Sequence, residues 1–179
     1  MLRKYYKELI VLLLIAAVIT AAVFGIDIKS VDEYYSMPLD EITDTSKVVY
    51  MSIDCKTIFD NIEQLDKNLS AYLPPDGIIL PKKPYALKAG DTAFDLLLRV
   101  TRYNRISVEY DGNNAFGSKY VEGIANFYEF SCGKLSGWTI LVNGKLLTNS
   151  SDKYSLKAND VVEWRYTCDN GRDVEAENE

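Results

Sequence analysis

The 179-residue chain contains no histidine. That one absence removes Ser-His-Asp and Cys-His nucleophilic catalysis, HExxH zinc chemistry and pH sensing through imidazole. Positive charge is also short: 20 Lys and Arg face 26 Asp and Glu, for a net of -6 and a pI near 4.8. Nucleic acid needs a basic footprint, and none is visible, so it is not an expected partner. Cysteine is sparse and odd in number, at three. The arithmetic allows one disulfide and a spare thiol, or three reduced thiols acting as small apolar residues. With no imidazole base and no cation obviously placed to lower a thiol pKa, a catalytic cysteine is not expected. Paired carboxylates such as Asp111, Glu122 and Glu129 lie in loop-rich stretches that fix no separation between them, so they define no glycosidase-type site. The chain is read as a non-enzyme.

What is present is apolar and aromatic. Apolar residues make up 47% of the chain, enough to build a core, and 13 tyrosines suit half-buried sheet faces and contact surfaces. Charge is unevenly placed. Residues 1–26 carry Arg3, Lys4 and Lys7 against Glu8 alone, and the remaining chain is acidic throughout. Residues 9–26 form an uncharged, mostly apolar run of a length that spans about 27 Å as a helix, close to the ~30 Å of a bilayer core. The basic flank keeps the N-terminus cytoplasmic and places the acidic remainder outside. The expectation is a membrane anchor or signal peptide over 1–26, with cleavage after Ala22 or Gly25 as the secreted alternative. No cysteine follows the run closely, which disfavours a lipoprotein. Residues 27–46 are polar and acidic around Pro38 and read as a linker.

The domain is expected over 47–173, with 174–179 as an acidic, disordered tail. Alternation of Val49, Met51, Ile53 and Cys55 predicts a strand with one buried face. Ile58, Ile62 and Leu65 recur at helical spacing, so a helix or two short turns follow. Pro74-Pro75-Asp76-Gly77 is a turn, and Pro81 and Pro84 demote 78–87 to an edge strand. Asp91 is a good N-cap for the best helix, whose stripe is Ala93, Leu96, Leu97 and Val100 and which ends near Tyr103-Asn104. Residues 106–110 are strand-like. Residues 120–124 and 126–130 read as a hairpin around Gly123. Residues 137–142 and 160–168 complete the strands, with Asn143-Gly144 as a strong hairpin turn. The echo of 87–91 in 156–160 predicts one turn used twice, with Gly90 and Asn159 free to take positive φ. One helix across a mixed sheet is an α+β architecture.

Three segments carry a family resemblance: Tyr128-Glu129-Phe130-Ser131-Cys132-Gly133-Lys134-Leu135-Ser136-Gly137-Trp138, then Val142-Asn143-Gly144, then Asp160-Val161-Val162-Glu163-Trp164-Arg165-Tyr166-Thr167-Cys168. In this order they resemble the transcobalamin C-terminal-like domain, a small β-grasp module of exported Gram-positive bacterial proteins. The resemblance spans about 47–173 and is densest from Tyr120 onwards. It implies a β-grasp-like mixed sheet in which the first and last strands, 48–55 and 161–168, are parallel neighbours. Cys55 and Cys168 would then share a face within disulfide reach, and Cys132 is the competing partner for Cys168. It also implies a ligand-facing aromatic strand at Gly137-Trp138, with Tyr120, Tyr128 and Phe130 extending that surface, and Trp164 in the core. The related family domain covers one face of cobalamin while a helical barrel covers the other. These 179 residues leave no room for such a barrel, so a corrinoid is one implied ligand among others, and no other cofactor is expected.

The loop Ser131-Cys132-Gly133-Lys134-Leu135-Ser136-Gly137 lacks P-loop spacing. Asp169, Asn170 and Asp173 offer oxygen ligands for a cation such as Ca²⁺, but they match no EF-hand, and a solvated turn is preferred. No metal site is assigned. The resulting expectation is an extracytoplasmic ligand-binding module, membrane-tethered or secreted, which hands a small ligand to a transporter. The alternative is a cell-surface structural or protein-interaction domain with an envelope partner.

Overall fold

Strand β1, Val48–Asp54, shows why the domain folds as it does. Its alternation buries Val49, Met51 and Ile53 completely and leaves the intervening residues half-exposed. This is seen in a computed structural model that describes residues 10–16, 20, 30–112 and 117–174. β1 pairs antiparallel with β2, Ile78–Ala86, and parallel with β8, Val161–Thr167. β8 pairs antiparallel with β6, Gly137–Val142, and β6 with β7, Lys145–Leu146, giving the order β2-β1-β8-β6-β7. The opening and closing strands of the domain therefore abut, as expected. Their register is Tyr50 opposite Val161, two residues displaced from the equal-length alignment of 48–55 with 161–168. β2 lies at the sheet edge, where Pro81 and Pro84 cost no ladder bond to a further strand.

The molecule is α+β, but its strands form two sheets rather than one. A second sheet has the order β3-β4-β5, from Val108–Asp111, Tyr120–Ile124 and Phe127–Tyr128, and β4 and β5 lie beside β6. The hairpin β4–β5 turns at Ala125-Asn126, whose φ values are 51° and 71°, and not at Gly123. Gly123 serves another purpose: Tyr128 packs over it so closely that a Cβ there would come within 2.6 Å of the ring. The β6–β7 turn uses Asn143 (φ 54°) and Gly144 (φ 77°), the left-handed pair that a two-residue hairpin requires.

The only long helix among the described residues of this unit, α2, is Ala93–Tyr103; α1 is the short Val31–Ser36. The predicted stripe is the buried one, with Ala93, Leu96, Leu97 and Val100 inaccessible to solvent. The N-cap is Thr92 and not Asp91. Thr92 Oγ1 accepts from Asp95 N, and the Asp95 carboxylate accepts from Thr92 N, a complete capping box. Asp91 closes the turn before the helix instead. It accepts from Lys88 N at 2.9 Å and takes a two-pronged guanidinium contact from Arg99 at 2.8 and 2.9 Å. Asp160 repeats the first of these bonds on Lys157 N at 2.9 Å, and Gly90 (φ 81°) and Asn159 (φ 70°) occupy matching positions. The echoed segments are one turn used twice, flanking the start of β1: Leu87 N bonds Lys47 O and Asn159 N bonds Val48 O.

Two buried clusters result. The larger packs α2 against the inner face of the five-stranded sheet, through Met51, Ile53, Leu96, Leu97, Val100, Val162 and Trp164. The smaller gathers Cys55, Ile58, Leu65, Phe127, Cys132, Tyr166 and Cys168 beneath two 3-10 segments, Lys56–Gln64 and Lys67–Tyr72. The helical spacing after Cys55 thus becomes two short turns. Trp138 packs against both clusters.

The chain divides into two units, Met1–Ser36 and Met37–Glu179. The membrane or signal helix expected over 1–26 lies mostly outside the described residues. Residues 10–16 are helical with exposed apolar side chains, and among the described residues no helix is long and apolar enough to cross a membrane. Within the second unit, Leu39 packs on the larger cluster and Asp40 pairs with Lys88 at 2.8 Å, so part of the expected linker is docked on the domain. At the other end Val174, read from sequence as the start of the tail, is buried, and its carbonyl accepts from Arg165 Nη1 at 3.2 Å.

Candidate ligand-binding site

Alternation along β6 and β8 sets Trp138 opposite Tyr166 and Ile140 opposite Trp164. These residues share the inner face, and where the sheet meets β4, Trp138, Ile140 and Trp164 border an open cleft of about 280 Å³. Trp138, Trp164 and Tyr120 supply its aromatic surface. Thr139, Thr148, Asn149, Ser150 and Ser151 supply hydroxyl and amide groups.

Trp138 is fixed before any ligand arrives. Its indole N–H donates to the Phe127 carbonyl at 2.7 Å, and its ring meets Tyr166 edge-on, with centroids 5.3 Å apart and planes at 75°. Tyr166 is in turn held from the far side. Its hydroxyl donates to the Tyr128 carbonyl at 2.7 Å and meets Ser136 Oγ at 3.0 Å. Burial pushes the Tyr166 phenol up to about 12, so it stays protonated and keeps its role as donor. Trp164 is 3% exposed, and its indole nitrogen is closed to solvent without a hydrogen-bond partner. Tyr120 stands at the mouth, its hydroxyl donating to Glu129 Oε2 at 2.7 Å; burial and that carboxylate raise its pKa to about 12.

The polar wall is tied to the start of β4 by Asp152. Lys119 N donates to Asp152 Oδ1 at 3.2 Å, Ser150 Oγ donates to the same oxygen, and Lys153 Nζ pairs with Oδ2 at 3.1 Å. Burial alone would push the Asp152 carboxyl up, but the Ser150 hydroxyl, the Lys119 N–H and Lys153 together pull it down to about 2. The Lys119 ammonium lies 5.6 Å above the Tyr110 ring centroid. Asp152 is thus engaged with Lys153 and Ser150, and of the residues lining the cleft only Lys119 carries a charge.

Of the residues singled out from sequence, the structure brings Trp138 and Tyr120 together at this cleft. Tyr128 lies over Gly123 with its hydroxyl 2.5 Å from Glu109 Oε1, a bond that raises its pKa. Phe130 is 65% exposed with φ 65°, in the left-handed region that bulky side chains avoid. Gly137 opens β6 opposite Thr167, with room for a Cβ at an ordinary 3.6 Å from Glu129. Trp164 lies in the core, as the sequence indicated, and also borders the cleft; sequence reasoning missed the loop 147–151. The signal for the loop was a run of short polar residues, Thr148-Asn149-Ser150-Ser151, between two strands.

The cysteines are three buried free thiols in one cluster. Burial raises Cys55 and Cys168 to about 12 and Cys132 above its ordinary value, so none is poised as a nucleophile. In the loop after β8, Asp169 pairs with Arg172, and Asp173 bonds Thr167 Oγ1 and, at 2.7 Å, Cys168 N. Its carboxylates are consumed by the chain's own donors. Among the described residues no group of three or more Cys, Asp or Glu is placed to hold a metal ion.

Residues 90–168 match the model of a domain of unknown function, DUF4430. No curated protein matches the sequence. Among solved structures, haptocorrin in complex with Cbi is 11% identical, with a TM-score of 0.45. The match covers 72% of this chain and 26% of haptocorrin, so the chain spans about a quarter of that protein's length. A candidate metal-binding protein from Ruminococcus gnavus ATCC 29149 is 11% identical with a TM-score of 0.39, covering 68% of this chain and 96% of that one.

Proposed function

We propose that the domain is a non-enzymatic ligand-binding module, displayed outside the cytoplasmic membrane, and that the Trp138 cleft is its site. The observation that carries this reading is a preformed cleft whose aromatic wall is locked by the Trp138–Phe127 hydrogen bond and the Tyr166 contact. At about 280 Å³ it sits just below the usual size range of small-molecule sites. It takes a ligand of one ring with an apolar face for Trp138 and a rim of neutral hydrogen-bonding groups for Thr148, Asn149 and Ser150. A corrinoid would place only one edge there and leave the macrocycle in water, so its binding would be weak. Delivery of the ligand to a transporter belongs to the same reading.

Tryptophan fluorescence of the full chain, titrated with monosaccharides, nucleosides, cobinamide and cobalamin, tests it. The expected result is saturable quenching by a single-ring ligand that is lost in Trp138→Ala. Corrinoid binding tighter than the single-ring ligands would restore the corrinoid reading. Absence of any saturable response up to millimolar ligand would remove the binding module altogether.

One observation favours the alternative, an interaction domain. Phe130 and Leu135, on one loop, are 65% and 52% exposed, and Phe130 holds a strained backbone there. Capture of an envelope protein by the wild type and not by Phe130→Ser, with no response in the fluorescence titration, would decide for it.

A further inference from the structure

Cys132 and Cys168 come from segments far apart in sequence, the loop after β5 and the residue that follows β8. The fold lays them under the same 3-10 turn. Cys132 Sγ donates to Asn61 O at 3.4 Å, and Cys168 Sγ lies 3.7 Å from Thr57 Oγ1; Asn61 Nδ2 bonds Thr57 O at 2.9 Å and ties the two anchor points together. The two thiols lie near enough to influence each other's ionisation. Cys55 is directed elsewhere, with its Sγ donating to Gly77 O at 3.5 Å, and the β1–β8 register places it level with Tyr166, two residues short of Cys168. The sequence left two partners open for Cys168, and the fold selects one.

Access is equally unequal. Cys132 and Cys55 are sealed, whereas Cys168 is 8% exposed and lines a surface depression of about 740 Å³ with Lys134, Leu135, Gln64 and Asp169. We propose that Cys132 and Cys168 form a thiol–disulfide site, in which Cys168 is the thiol met by a small disulfide and Cys132 the resolving thiol. The steps balance as two exchanges. The Cys168 thiolate attacks one sulfur of a low-molecular-weight disulfide, forming a mixed disulfide and expelling one thiolate. The Cys132 thiolate then attacks Cys168 Sγ and expels the second. The small disulfide takes both electrons, and the protons of the two cysteines leave on the two small thiols. Because burial keeps both thiols protonated at neutral pH, the reaction is slow and quickens as pH rises. The bond would join the loop after β5 to the end of β8 and fasten the smaller cluster from within.

The test uses the full chain, purified in detergent under reducing conditions and equilibrated with oxidised and reduced glutathione at pH 8. The expected product is lighter by about 2 Da, the two hydrogens lost. Its non-reducing peptide map links Cys132 to Cys168, and Cys55 is alkylated only after unfolding. Its thermal midpoint rises by about 10 °C over the reduced form. Cys55→Ser should behave as the wild type, whereas Cys132→Ser should stop at a glutathione adduct on Cys168. Three alkylatable thiols after equilibration, a linkage through Cys55, or a wild-type chain that retains the adduct on Cys168 would each overturn the proposal. The wild-type mass and map decide it even if a variant fails to fold.

Discussion

The two buried clusters are built on opposite principles. The larger, between α2 and the five-stranded sheet, is almost wholly hydrocarbon, and its polar groups sit at the margin as closed turns and a helix cap. The smaller is part hydrocarbon and part polar network: three thiols, the Tyr166 phenol, Ser136 Oγ and the backbone of a loop that bonds inward, with Cys132 N donating to Ser136 Oγ at 3.0 Å. Non-directional packing tolerates changes that conserve volume, whereas a network has fixed partners. The difference explains why the site lies where it does. Trp138 borders both clusters, so one face is packed as core while its N–H is oriented by the network side.

The contrast can be broken most forcefully at the margin of the larger cluster. Asp91 and Arg99 are both nearly buried and form a two-pronged pair that also closes the Lys88 turn. Asp91→Ala leaves the guanidinium without its counter-charge and should cost about 3–5 kcal/mol of stability, read from urea unfolding. Within the cluster, Leu96→Ala removes a fully buried side chain and should cost about 2–5 kcal/mol, whereas Leu96→Met should cost under about 1.5 kcal/mol. In the smaller cluster a change with almost no volume should still register. Tyr166→Phe deletes only the hydroxyl that serves Tyr128 O and Ser136 Oγ, and should cost about 1–2 kcal/mol. A Tyr166→Phe variant as stable as the wild type would erase the distinction between the clusters.

The same contrast governs what could be read from sequence. Periodicity reported the larger cluster directly, because hydrocarbon burial imposes a period of two on β1 and of 3.6 on α2. Val49, Met51, Ile53, Leu96, Leu97 and Val100 were all legible this way, as was the Asn143-Gly144 turn. The N-cap was misplaced by one residue because Asp and Thr both cap well and only the tertiary partner, Arg99, draws Asp91 away. The second sheet was hidden because β5 is two residues long and the β4–β5 turn uses Ala125-Asn126 rather than glycine. The cleft was half legible. Aromatic residues pointed to Trp138 and Tyr120, but the opposing wall comes from residues 147–151, and nothing local in a loop says what it will face. Trp164 shows the limit best: an alternating strand marks it as inward, and it is, yet an inward residue on the central strand also borders a cleft.

The smallest effect expected is also the one that bears on the site. Asp152 ties Lys119 to Ser150 beside the cleft, and its pKa is held at about 2 against an ordinary value near 3.9. A carboxyl whose folded-state pKa is lowered contributes its stability above the unfolded value and loses it as pH falls through the folded one. Asp152→Asn should therefore cost about 0.5–1 kcal/mol at neutral pH, the scale of a partly exposed ion pair. The gap between wild type and variant should close as pH falls from about 4 to 2. The same window should appear in ligand binding if the clamp holds the polar wall in place. Between pH 7 and 5 wild-type quenching should be flat and the variant weaker at every point. A variant that matches the wild type in both stability and binding across this range would mean that the wall is positioned by its own turn and not by the carboxylate, and the cleft would then be as rigid on its polar side as on its aromatic one.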